Sequence, residues 1–204
     1  MKTTLRFLII FLFLFIGQDH YAQDMDDVFG QLEAQEELPL LPEKMLFTQR
    51  MLWGEKGLLR QANLAPLNPL QRNKEIKIRR TMLVTHQVLG YITLGSMIAQ
   101  GIIGGKLYNN PDLVGLKSTH ETMAGIVNFS YFSGAALSLF APPPLTNNTS
   151  KGLSSARAHK WLATIHLSAM VATNYFAEKD RVTHRLAAYT AFASFATAAL
   201  ILTF

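Results

Sequence analysis

Five histidines, His86, His120, His159, His166 and His184, are the residues of this chain best suited to chemistry. Each lies in or at the edge of a long apolar stretch, where an ionisable side chain is costly and points to function. Four of them stand at matching depths. His86 precedes Lys106 by 20 residues, His120 precedes Pro142 by 22, His159 precedes Glu178 by 19 and His184 precedes Phe204 by 20. If consecutive stretches are antiparallel helices, His86 and His159 share one level while His120 and His184 share the other. Two facing pairs of imidazoles are expected.

Two imidazoles in apolar surroundings select among cofactors. Zinc takes four ligands, and no cysteine or nearby carboxylate can complete such a site here. A di-metal carboxylate centre requires Glu-x-x-His pairs on facing helices, which these stretches lack. Haem requires two axial nitrogens and an apolar slot, with cations near its propionates. The residue one turn after each histidine is small: Gly90, Ala124, Ala163 and Ala188. A small side chain on that face leaves room for a flat macrocycle. Arg79, Arg80, Arg157 and Lys160 are candidate propionate partners at one level, and Lys117, Arg181 and Arg185 at the other. The expected cofactors are two b-type haems, one between His86 and His159, the other between His120 and His184. His166 is followed one turn later by Met170 and is the alternative ligand to His159.

The elements that must carry these residues are four apolar stretches, Thr81–Ile103, Ser118–Ala141, Trp161–Phe176 and Val182–Phe204. Three have the length needed to cross a core of roughly 30 Å at 1.5 Å per residue. The third is short unless it begins near Arg157. Short links make neighbours antiparallel, and helices are the form that satisfies every backbone group in lipid. The expected fold is all-α: a four-helix transmembrane bundle over residues 80–204.

Ahead of it, Lys2 and Arg6 precede a ten-residue apolar run, Phe7 to Ile16, which reads as a signal peptide over residues 1–22. An uncleaved anchor is the alternative. Residues 23–79 read as an acidic, disordered lead-in followed by an amphipathic interfacial helix. In that helix Met45, Leu52 and Leu59 recur every seven residues, with Trp53 as an interface anchor. A helix packed on the protein's own surface fits the same pattern.

Composition narrows the class further. Only 16 % of residues are charged, and the net charge of +5 is concentrated at the ends of apolar stretches. No aromatic-interleaved basic stripe is present, which argues against nucleic acid. The absence of cysteine excludes disulfides, thiolate metal sites and covalent c-type haem attachment.

The segments "KSTHETMAGIVNFSYFSGAALSLF" and "ARAHKWLATIHLSAMVATNYF" resemble histidine-bearing helices of the cytochrome b561 family. The resemblance covers residues 80–204. It implies a transmembrane dihaem protein that passes electrons between bis-histidine haems on opposite sides of a membrane. By that likeness His86, His120 and His159 match histidines on three successive family helices. Two departures stand out: four mature spans replace the family's five or six, and the fourth histidine helix comes last instead of first. The family's ascorbate-binding features are not found in this chain.

The expected function is therefore transmembrane electron transfer, with membrane lipid, an unidentified electron donor and acceptor, and a second copy of the chain as partners. The alternative is a non-catalytic membrane anchor or assembly subunit whose histidines bridge helices. A proton or ion transporter is disfavoured, because Glu121 stands only at a span entrance and no span carries a central acid. A signal peptide implies a bacterial inner-membrane protein with residues 23–79 outside the cytoplasm. The basic run Arg72–Arg80 then faces outward, against the positive-inside rule.

Overall fold

A computed structural model describes residues 39–146 and 154–203. The expected signal peptide and nearly all of the acidic lead-in lie outside those residues. Among the described residues six helices follow in order: α1 (Phe47–Trp53), α2 (Leu58–Gln61), α3 (Pro69–Asn109), α4 (Val114–Phe140), α5 (Ser155–Phe176) and α6 (Arg181–Thr203). There is no strand among the described residues.

Local chemistry sets the ends of the long helices. Asn68 caps α3, its side chain accepting from the Gln71 backbone N–H at 2.8 Å, and Pro69 supplies the preset φ of a first helical residue. The helix thus begins twelve residues before the expected Thr81 and carries the basic run Arg72–Arg80 in register with His86. Ser154 caps α5, which starts at Ser155 and puts His159 in its second turn. That start resolves the apparent shortness of the third stretch. Asp180 accepts from the backbone N–H groups of Val182 and Thr183 at the head of α6.

α3 packs along α4, and α5 along α6. The side chains of Asn128 and Asn174 exchange two hydrogen bonds, 2.7 and 3.0 Å, that tie α4 to α5. Among the described residues α3 and α4 are long and apolar enough to cross a membrane, with mean hydropathy 1.4 and 1.3.

The distribution of side chains is inside-out for a water-soluble protein. Large apolar residues such as Val88, Ile98, Phe129, Ile165, Val171 and Leu186 are exposed. The interior holds small and polar groups, including Thr93, Ser130, His166, Ala169, Ala191 and Ser194, beside an apolar cluster with Met97, Val127, Tyr131 and Met170. Exposed apolar surface on this scale is unfavourable in water, whereas small residues at helix contacts suit packing in lipid.

The segment before α3 forms a cap on one end of α4. Pro142, Pro143 and Pro144 follow that helix and have no N–H to offer its last carbonyls. Side chains from elsewhere supply the donors. Thr48 donates to Leu139 O at 2.5 Å, Trp53 Nε1 to Phe140 O at 2.9 Å and Gln49 to Ala141 O at 3.3 Å. Arg79 donates to Pro142 O at 2.7 Å, and Arg72 to the carbonyls of Pro143 and Pro144. Arg60 and Arg72 also pair with one carboxylate, Glu75, which is wholly buried. Arg72 adds a hydrogen bond to Leu40 O. The single amphipathic helix expected around Trp53 is broken into α1 and α2, because the chain folds tightly at Gly54 and Gly57. A Cβ at Gly57 would lie 2.5 Å from Leu52 O.

Candidate functional site

The histidines meet across helices that otherwise stay apart. The His86 and His159 rings lie 6.4 Å apart between centroids, with planes at 87°. The His120 and His184 rings lie 6.3 Å apart at 75°. Among the described residues no Cα of α3 comes within 8 Å of α5, nor any of α4 within 8 Å of α6. The imidazoles therefore reach into a gap that backbone packing leaves open.

Hydrogen bonds set the orientation of three rings. Nδ1 of His86 donates to Gly134 O at 2.9 Å, that of His159 to Ala198 O at 3.1 Å, and that of His184 to Thr173 O at 2.8 Å. A carbonyl acceptor places the proton on Nδ1 and leaves the Nε2 lone pair free, the usual second-shell arrangement of a metal-binding histidine. His120 differs. Its Nε2 lies 3.3 Å from the Gln100 amide nitrogen, and its Nδ1 is buried without a partner.

The four contacts share one spacing. Gly134 lies fourteen residues after His120, Gln100 fourteen after His86, Ala198 fourteen after His184 and Thr173 fourteen after His159. Fourteen residues of α-helix rise about 21 Å, so each hairpin carries its two histidines on separate levels about that far apart. The helix positions midway, Thr93, Val127, His166 and Ala191, are all buried. Thr93 donates to Ser130 at 2.8 Å, and Tyr131 Oη lies 2.6 Å from His166 Nδ1. Phe195 packs edge-on against the His166 ring at 5.1 Å. His166, the alternative ligand, belongs to this central layer and to neither pair.

Two nitrogens bonded at about 2 Å to one metal ion, each about 1.1 Å from its ring centroid, put the centroids about 6.2 Å apart. Both pairs match that spacing. Among the described residues no group of three or more His, Cys, Asp or Glu stands together to hold a metal ion. Paired axial ligation is what the residues offer, and the donor set fits haem iron.

The surroundings bear on the other expected residues. A Cβ at Gly90 would meet nothing within 4 Å, and Ala124, Ala163 and Ala188 are half-buried beside their histidines. Arg80, Arg157, Lys160, Lys117 and Arg181 are exposed. Arg79 is half-buried and engaged at Pro142 O. Arg185 lies over the Tyr108 ring at 4.1 Å, and Arg181 donates to Tyr108 O at 2.9 Å. Lys117 stands 3.8 Å from Glu121, with both side chains in the open.

Sequence reasoning missed three members of this arrangement, Gln100, Gly104 and Tyr131. A Cβ at Gly104 would lie 2.9 Å from His120 Cε1, so this glycine makes room for the ring. The fourteen-residue spacing to the neighbouring helix was the signal available for Gln100. Compared with protein-family models, with curated proteins and with solved structures, the chain matches none.

Proposed function

We propose that this protein is a membrane-embedded electron carrier of the cytochrome b561 type, with its four long helices forming a transmembrane bundle that holds two b-type haems. His86 and His159 would hold one haem and His120 and His184 the other. The observation that carries the reading is the pair of ring spacings, 6.4 and 6.3 Å, across helices with no close backbone contact. Haem supplies a reversible one-electron couple, and the chain's own residues do the rest.

The carbonyls of Gly134, Ala198 and Thr173 hold three imidazoles in the tautomer that leaves Nε2 free. Gly90, Ala124, Ala163 and Ala188 keep the next turn clear for a macrocycle. Exposed cations at each level, Arg80, Arg157 and Lys160 at the first and Lys117 and Arg181 at the second, are the partners for propionates. Two protein ligands on each iron favour electron transfer over oxygen chemistry. The location that follows is a bacterial inner membrane, with the α1–α2 cap on the outer side and the donor and acceptor approaching from opposite faces.

The test is an optical spectrum of the purified protein with haem counted per chain. Two haems with reduced b-type bands are expected, and His86→Ala and His120→Ala should each remove one and leave the other. A second reading, an anchor subunit, draws on the fact that the same Nδ1–carbonyl bonds staple α3 to α4 and α5 to α6. A colourless, well-folded preparation from cells with ample haem would favour it.

A further inference from the structure

The two histidine pairs differ, and the difference centres on Gln100. In the first pair both rings donate Nδ1–H to a backbone carbonyl. In the second pair only His184 does so, while His120 Nδ1 is buried with no partner. The Gln100 side chain donates to His120 O at 3.1 Å, which fixes its NH2 group toward His120. The second proton of that NH2 points at the Nε2 lone pair, 3.3 Å away. Gly104 lies against the Cε1–Nδ1 edge of the ring, where an added Cβ would stand 2.9 Å from Cε1.

A histidine whose far nitrogen donates to a carbonyl is a more basic ligand and stabilises the oxidised metal. One that lacks this bond, and whose lone pair is already committed to an amide, is a weaker one. We infer that Gln100 is a positioning residue that competes for the His120 lone pair and makes the His120–His184 centre the more labile of the two, while the unpartnered Nδ1 of His120 makes it the higher-potential one, so that electrons run from the His86–His159 level toward the His120–His184 level.

This inference rests on the haem reading above, and its test separates the two. Redox titration of the haem-loaded protein in detergent, followed optically, should resolve two midpoints. His86→Ala, which leaves the second centre, should retain the higher one, and His184→Ala the lower. Transfer of haem to excess apomyoglobin should empty the second centre first. Gln100→Leu should slow that loss about tenfold, the low end of the range for second-shell changes, and leave the order of the two midpoints in place. A single shared midpoint, the reverse order in the two histidine variants, or a loss rate that Gln100→Leu leaves unmoved would each overturn it. If Gln100→Leu fails to fold, the order of midpoints in the histidine variants still decides. A folded protein that takes up no haem sinks the reading itself, together with this inference.

Discussion

At the scale of single residues, burial decides which groups the fold relies on. Tyr131 and His166 are 3 % and 9 % exposed and satisfy each other, so removing one partner strands the other. Tyr131→Phe should cost about 1–3 kcal/mol in detergent unfolding, whereas adding His166→Leu to it should recover much of that loss. Two glycines make a second comparison. Gly134→Ala places its methyl in ordinary contact, 3.5 Å from Leu89 Cβ, and should be tolerated. Gly104→Ala drives a methyl into the His120 ring and should weaken haem absorbance at the second level alone, as read in a His86→Ala background. The histidines themselves were legible in the sequence, because ionisable residues at equal depth in apolar stretches are conspicuous. Tyr131 was not, since an aromatic in such a stretch looks like any packing residue until its hydroxyl has a partner.

At the scale of elements, helix ends govern stability. Three consecutive prolines leave the α4 carbonyls without local donors, and the cap supplies them. Within it Glu75 neutralises two buried guanidiniums. Glu75→Gln should therefore destabilise the protein by about 3–5 kcal/mol, seen as a lowered midpoint of thermal unfolding. The head of α6 is pH-dependent. The Thr183 hydroxyl, then the backbone N–H groups of Thr183 and Val182, hold the Asp180 carboxyl below its ordinary pKa. Its capping contribution is present above about pH 4, the unfolded carboxylate range, and is lost as pH falls through the lower folded value. Hydrogen exchange at the Val182 and Thr183 amides should accelerate on acidification, and Asp180→Asn should remove the pH dependence of that step. The caps at Asn68 and Ser154 were open to sequence reading. The cap on α4 was not, because Thr48, Gln49 and Trp53 reach carbonyls some ninety residues away.

At the scale of the whole molecule, the gap between α3 and α5 is the feature on which the proposed haem binding depends. Gly90 faces open space in the protein alone, so Gly90→Leu should leave folding intact or slightly improved. The same change should block the first haem, so that the haem-free protein melts as before while the loaded protein holds one haem per chain in place of two and melts lower. The sequence by itself determined the helical class, the apolar segments, the four histidine depths and the pairing that alternating helix direction requires. These follow from local periodicity and from the cost of polar groups in apolar stretches, which need no knowledge of neighbours. Only the tertiary structure decided that α3 and α5 stand apart while their imidazoles meet, that His166 pairs with Tyr131 instead of joining a site, and that Gln100 sets His120 apart from its three counterparts. Those outcomes depend on the rotation and separation of helices, and these are fixed by side-chain contacts between segments far apart in the chain.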